Sequence, residues 1–210
     1  MDDTILITIG RQIGSGGLQV AKMVAAELGI DVYDKNLLML TAKESGLAPE
    51  VFAASDEKPG ALGRFARFIG LRGSVYNDSQ MYPDGSVMAE DELFALQSSV
   101  IRDIAAKGSG VFVGRAADYV LRDNPRLMSV FITADLQDRI ARVAERRGIS
   151  DVEAERFITD AERKRSNYYN YYTFKKWGDG ASYDLCLNSS LLGVEATAAL
   201  IVQIYRQCRG

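Results

Sequence analysis

The chain begins with a short apolar segment that is followed at once by a glycine-rich loop and an amphipathic helix. Residues 5–9 contain three isoleucines and one leucine, and Thr8 is their one polar member. Such a run is typical of a strand that is buried on both faces, as in the centre of a parallel sheet. The next eight residues, 10–17, contain four glycines, which let backbone N–H groups turn toward an anion at a helix N-terminus. The order favours a phosphate-binding loop over a tight turn that binds nothing. Its candidate residues are Gly14, Ser15, Gly16 and Gly17.

Strand and helix patterns alternate along most of the remaining chain. Further strands are predicted at 31–33, 111–113, 128–133 and 183–187. Helices are predicted at 18–28, 34–45, 92–107, 116–121, 136–147 and 194–208. This alternation predicts one α/β domain over residues 1–210, with a three-layer parallel sheet of about five strands and helices on both faces. Residues 47–91 interrupt it with three of the four prolines and weak periodicity, so they are interpreted as an inserted, mobile lobe.

Composition excludes several classes of function. The chain has no histidine, which excludes Ser–His or Cys–His catalysis and histidine metal sites. A net charge of −3 provides no basic field for nucleic acid or an anionic membrane, so neither partner is expected. Cys186 and Cys208 fit a reduced compartment and small buried packing roles. The start of the chain lacks a basic leader and no apolar run reaches about 20 residues, which favours a cytoplasmic protein.

The glycine loop departs from the standard phosphate-binding motif, G-x-x-x-x-G-K-[ST]. When residues 14–16 are placed on the end of that motif, Gly17 stands at the lysine and Leu18 at the magnesium-binding hydroxyl. The lysine normally reaches the terminal phosphates, so either another cation replaces it or phosphoryl transfer is impaired. Arg11 and Lys35 are the nearest candidates, although Arg11 can equally be a salt-bridged surface residue.

Several segments together carry a resemblance to a known family. Residues 110–115 resemble a strand that ends in Gly-Arg-Asp, 128–142 a strand leading into an arginine-bearing lid helix, and 183–190 a final strand and turn. These are features of bacterial cytidylate kinases. The chain is most similar to the divergent cytidylate kinase-like family, whose loop Arg-x-x-Gly-Ser-Gly-Gly corresponds to residues 11–17 and whose Gly-Arg-x-Ala-Asp corresponds to 114–118.

The resemblance implies a P-loop NTPase type of fold with a small helical insertion and a lid. Residues 47–91 would be the acceptor-binding lobe and residues 148–166 the lid region. The implied activity is phosphoryl transfer from ATP or another NTP, with Mg²⁺, to a small phosphorylated acceptor, such as the nucleoside monophosphate CMP. The alternative is a regulatory module that binds nucleotide and retains the kinase fold without transfer, which the missing lysine favours.

The resemblance also assigns roles to individual side chains. Arg115, Arg139 and Arg142 would stabilise charge on the transferred phosphoryl group, since arginine forks match its oxygens. Arg163 and Arg165 would close onto the phosphates from the opposite side. The alternative for these arginines is a solvated helix face. Asp34 matches an aspartate at the same place in cytidylate kinases, and it can equally be a helix cap.

Carboxylates give less specific signals. Asp34, Asp118 and Asp135 are the candidates for magnesium or acceptor contacts, and none is a certain metal ligand. Ala116 stands where the kinases carry the aspartate of Gly-Arg-Asp. The acidic partners for a cytosine amino group are therefore missing or displaced, which weakens the case for selection of cytosine.

An aromatic segment lies at 168–177, with four tyrosines, Phe174 and Trp177. Such a cluster packs a helix end or a homo-oligomer interface more often than it stacks on a base. The sequence favours packing here.

Overall fold

The computed structural model describes residues 4–34 and 90–209. Its five strands are β1 (Leu6–Arg11), β2 (Asp31–Tyr33), β3 (Gly110–Val113), β4 (Leu127–Thr133) and β5 (Leu185–Asn188). All neighbouring strands pair in parallel, in the order β2-β3-β1-β4-β5. The predicted parallel α/β sheet is confirmed, and β5 begins two residues later than the sequence pattern indicated.

Seven helices lie in the described ranges. They are α1 (Gly17–Leu28), α2 (Glu90–Lys107), α3 (Ala117–Val120), α4 (Leu136–Arg147), α5 (Asp151–Thr173), α6 (Ser189–Leu192) and α7 (Val194–Arg209). The sequence analysis missed α5, which has 23 residues and begins with a capping box between Ser150 and Glu153. The predicted helix at 34–45 and almost all of the predicted lobe at 47–91 lie outside the described residues.

Helices cover both faces of the sheet. On one face, α1 and α7 pack against side chains that alternate along the strands, among them Ile7, Ile9 and Val111. On the other face, α2 and α3 pack against Leu6 and Phe112. Because both faces are covered, the central strands are apolar at nearly every position, and this continuous pattern made them recognisable in the sequence.

The two helices α4 and α5 share a small apolar core of their own. It contains Ile140 and Val143 from α4 and Ala154 and Ile158 from α5. Ile13, from the glycine loop, packs into the same cluster. The loop is thus joined directly to the α4–α5 pair as well as to the sheet.

The structure corrects the expectation for the cysteines. Cys186 and Cys208 are both exposed, so the prediction of buried packing roles is wrong. Cys186 lies in β5, the last strand at one side of the sheet, and Cys208 lies in the last turn of α7. No helix within 4–34 or 90–209 is long and apolar enough to cross a membrane.

Candidate phosphate-binding site

The glycine loop connects the carboxyl end of β1, the central strand, to the N-terminus of α1. Gly14 and Gly16 have φ angles of 80° and 76°, in the left-handed region that glycine adopts without strain. A Cβ atom on Gly14 would lie 2.7 Å from the backbone oxygen of Arg139, so the loop and α4 approach each other at the backbone. Both glycines are therefore required by this loop conformation.

The loop presents several backbone N–H groups that the described protein does not use. The N–H of Ile13 donates to Glu162, and the N–H of Ser15 makes a long 3.4 Å bond to the Gln12 oxygen. Within the described residues, the N–H groups of Gly14, Gly16 and Gly17 donate no hydrogen bond. Unpaired N–H groups beside a helix N-terminus form the arrangement that binds anions.

The Arg11 side chain crosses the position where the standard motif has its lysine. A Cβ atom on Gly17 would lie 2.5 Å from Cβ of Arg11 and 3.0 Å from its Cγ. The Arg11 guanidinium then reaches Gly114, where its Nη1 atom occupies the room that a side chain at Gly114 would need. Gly17 has an ordinary φ angle, so its lack of a side chain is explained by the close approach of residue 11, whose Cβ any residue other than glycine would carry.

Two arginines of α4 lie against the loop. Nη1 of Arg142 donates to the Gly14 oxygen at 3.1 Å. Arg139 is buried, and its Nη1 pairs with Oε1 of Glu162 at 2.6 Å. From α5, Nη1 of Arg165 donates to the Arg11 oxygen at 3.1 Å. The structure thus brings Arg139, Arg142 and Arg165 to the loop, where each donates a hydrogen bond to a protein oxygen.

Arg115 follows β3 in an unusual backbone turn. Gly114, Arg115 and Ala116 have φ angles of 74°, 59° and 52°. Consecutive non-glycine residues in the left-handed region store strain, which is most often found at functional sites. The Arg115 guanidinium lies 5.8 Å from the centre of the Tyr168 ring on α5. The turn therefore directs Arg115 toward α5. It lies at the carboxyl ends of the strands, where Arg11 meets Gly114.

Other predicted residues are not brought to the loop as binding groups. Arg163 pairs with Asp160 on an exposed face of α5, with 68 % of its side chain exposed. The Ser15 hydroxyl donates to the Gln12 oxygen, so it shapes the loop. Asp34 ends the segment after β2 at the same sheet edge, and Lys35 lies outside the described residues.

The Asp118 carboxyl group is buried and hydrogen-bonded within the protein. The Tyr169 hydroxyl donates to its Oδ2 at 2.7 Å, and burial raises the pKa of Asp118 above its usual value. Burial and the neighbouring Asp118 charge likewise raise the pKa values of Tyr169 and Tyr183. Asp135 is exposed and accepts from Nδ2 of Asn188. In the described ranges, no three Cys, Asp or Glu residues are grouped so that they could hold a metal ion.

The aromatic segment mainly packs. Tyr172 stacks on Phe94 of α2 at 4.0 Å between ring centres, and Trp177 meets Phe131 edge-on at 5.1 Å. Tyr171 and Phe174 are exposed. The preference for packing within the chain is confirmed for Tyr172 and Trp177.

Sequence reasoning missed Glu162, whose carboxylate contacts both the loop and Arg139. It also missed Ser189, whose hydroxyl donates to the Ser15 oxygen and so fixes the loop to α6. Both contacts join residues more than 140 positions apart in the chain. No local pattern could have revealed either of them.

Comparison with known proteins shows the family of the chain. The model of the Cytidylate kinase-like family matches residues 6–191. The chain belongs to this family. A curated cytidylate kinase from Pyrococcus horikoshii is 27 % identical over 95 % of the chain and 87 % of that protein.

Solved structures agree on the fold of this family member. An uncharacterized protein from Eubacterium ventriosum has a TM-score of 0.70 at 29 % identity, covering 96 % of this chain and 98 % of that one. A shikimate kinase from Bacteroides thetaiotaomicron has a TM-score of 0.51 at 15 % identity, covering 97 % and 99 %. The second likeness shows the fold alone, which is that of P-loop kinases.

Proposed function

We propose that the protein transfers a phosphoryl group from ATP or another NTP to a small phosphorylated acceptor, and that the acceptor is a nucleoside monophosphate such as CMP. The observation that carries the proposal is the loop at 14–17. It combines unpaired N–H groups, the N-terminus of α1 and the Arg11 side chain over Gly17. Family membership and the kinase fold support phosphoryl transfer in general terms.

The chemistry requires positioning and charge stabilisation more than a strong base. The loop N–H groups would hold the phosphates, and the Arg11 guanidinium would supply the cation that Gly17 lacks. Arg142 and Arg165 lie within one side-chain rearrangement of the same loop, because each already bonds to a loop oxygen. Arg115 would stabilise charge from the end of β3.

Mg²⁺, when bound, neutralises charge on the phosphates of the nucleotide. The residues at the loop fit a weakly held ion: Leu18 has no hydroxyl, and no cluster of three acidic ligands lies in the described ranges. Magnesium usually takes one or two carboxylates and fills its other positions with phosphate oxygens and water. Asp34 and Asp135 are the candidates for that contact.

The choice of CMP rests on the relatives, two of which are named cytidylate kinases. The Ala116 side chain has no acceptor for a hydrogen bond from a base, and the Asp118 carboxyl group already accepts one from Tyr169. We therefore propose a nucleoside monophosphate as the acceptor class, with CMP as the first compound to assay.

Arg11→Ala tests the role of the replacement cation. We expect it to weaken binding of ATP about tenfold or more, and binding of AMP far less, because the lost charge faces the terminal phosphates. Titration calorimetry with both nucleotides measures the difference. Arg206→Ala is the control, since that arginine makes an exposed ion pair with Glu27 near the C-terminus of α1, at the opposite end of the helix from the loop. Equal losses for ATP and AMP would mean that Arg11 holds the loop instead.

A regulatory module is the second candidate, favoured by glycine at the lysine position. A coupled assay with ATP, Mg²⁺ and each nucleoside monophosphate separates the two. Binding of ATP without transfer to any acceptor would select the regulatory module.

A further inference from the structure

Glu162 places a carboxylate inside the candidate phosphate loop. Its Oε1 atom accepts the Ile13 N–H at 3.0 Å and Nη1 of Arg139 at 2.6 Å. About 19 % of the Glu162 side chain is exposed, and 9 % of that of Arg139. A backbone N–H and a guanidinium that converge on one oxygen are the donors that phosphate oxygens take in proteins.

The Arg139 guanidinium has one hydrogen-bond donor that is unpaired among the described residues. The Nε atom of Arg139 is buried and has no hydrogen-bond partner among the described residues. A carboxylate oxygen on one nitrogen leaves this donor unpaired, which costs free energy in a buried place. A triphosphate carries several separate groups of oxygens and could bring a second acceptor to the Nε–H while another oxygen accepts from Nη1. The loop also offers the unused N–H groups of Gly14, Gly16 and Gly17.

Charge balance points the same way. Two arginines of α4, Arg139 and Arg142, lie against the loop, and the Glu162 carboxylate bonds both to the loop and to Arg139. When no anionic ligand is bound, the Glu162 carboxylate offsets the repulsion between these positive charges. A nucleotide that brings its own negative charge would make that anion repulsive.

We propose that Glu162 is an internal anion that occupies a phosphate subsite of the loop until a triphosphate displaces it. The inference rests on the proposed nucleotide site and adds a positioning residue to it. Glu162 belongs to α5, so its displacement removes a contact that joins α5 to the loop. The displaced carboxylate leaves the Ile13 N–H and Arg139 to the phosphate, and no covalent bond changes.

Glu162→Gln is the decisive variant, because glutamine keeps the size of the side chain and removes the competing charge. We expect Mg·ATP to bind about tenfold more tightly to Glu162→Gln than to the natural protein, as measured by titration calorimetry. Glu155→Gln makes the same change in net charge on an exposed part of α5 and should leave the affinity unchanged. Glu162→Asp keeps the charge but shortens its reach, and should give an intermediate affinity.

Unchanged or weaker ATP binding in Glu162→Gln would overturn the inference, because Glu162 would then be a permanent support of the loop. If the substitution destabilises the protein, the melting temperature in inorganic phosphate provides a second measurement. Phosphate should raise it more for Glu162→Gln than for the natural protein, and an equal or smaller rise counts against displacement.

Failure of the proposed function has a different signature. If the natural protein binds no triphosphate but Glu162→Gln does, the internal anion stands and nucleotide binding by the natural protein is refuted. If neither binds triphosphate or inorganic phosphate, both proposals are wrong. If the natural protein binds ATP and the variant binds it no better, the nucleotide site stands and the internal anion is refuted.

Discussion

Asp118 is a carboxyl group enclosed by aromatic side chains at the start of α3. Tyr169 donates a hydrogen bond to it, and the ring of Tyr183 stacks at 5.9 Å on that of Tyr169. Burial raises the pKa of Asp118 above the ordinary value of 3.8, although the Tyr169 bond and Lys175 act in the opposite direction. The folded protein therefore binds this proton more tightly than the unfolded chain does.

Because the pKa of Asp118 is higher in the folded state, the free energy of unfolding depends on pH. Asp118 contributes most below pH 3.8, and that contribution is lost as pH rises through the raised pKa of the folded state. Asp118→Asn keeps an acceptor for Tyr169 but has no proton to lose. The free energy of unfolding of the natural protein, minus that of the variant, should therefore fall between pH 4 and pH 7. Urea unfolding at both pH values measures it.

The control for this titration is Asp123→Asn, at an exposed carboxylate. It measures the change in the free energy of unfolding that the loss of one negative charge causes by itself. A difference for Asp118→Asn that grows with pH would show that the carboxylate is charged in the folded protein and held by Lys175.

Among the elements, the α4–α5 pair is the part with a core separate from the sheet. Ile158 is 1 % exposed and packs against Val143 and Ile140 within that core. Ile158→Ala should lower the free energy for unfolding the helix pair by about 2–5 kcal/mol, because truncation of a buried isoleucine leaves a cavity. Hydrogen exchange should then accelerate in α4 and α5 while β1 and β4 remain protected.

Val152→Ala, at a position of α5 that is 60 % exposed, is the matched control and should leave exchange unchanged. Equal acceleration in the sheet and in the helix pair would mean that the whole chain unfolds as one unit.

The elements differ in how much the sequence revealed. The run at 5–9 and the glycines after it predicted β1, the loop and the start of α1, because buried parallel strands and anion loops have local signatures. Helix α5 was missed because its buried positions, such as Ala154, Ala161 and Tyr169, are small or widely spaced among charged residues. Its polar face hides the periodicity that identifies an amphipathic helix.

At the site, the sequence indicated Arg139 and Arg142 because they follow a strand in a helix and because that segment resembles the arginine-bearing lid helix of cytidylate kinases. It could not indicate that Glu162 bonds to Ile13, since that contact spans 149 positions. Nor could it indicate the left-handed turn at Arg115 and Ala116, because neither residue type favours that conformation.

For the whole molecule, binding of ATP should raise the free energy of unfolding and the melting temperature. If ATP binds only the folded chain, ATP at a hundred times its Kd adds about 2.7 kcal/mol. In a chain of 210 residues this corresponds to a rise in melting temperature of roughly 5–11 °C. Differential scanning fluorimetry with ATP and Mg²⁺ measures it, and adenosine, which lacks phosphates, is the control. An equal shift with adenosine would locate binding at the base and away from the loop.

The contact of Arg11 with Gly17 and Gly114 has a consequence for the mutational history of such loops. Lysine at 17 would place its Cβ 2.5 Å from Cβ of Arg11, and any side chain at 114 would collide with the guanidinium. The arginine form and the lysine form of the loop are therefore separated by intermediates that fit poorly. Because the nearest atom is Cβ, which every residue except glycine carries, a side chain at 17 requires glycine at 11 or a shift of the backbone between the two positions. The three positions therefore constitute one epistatic unit.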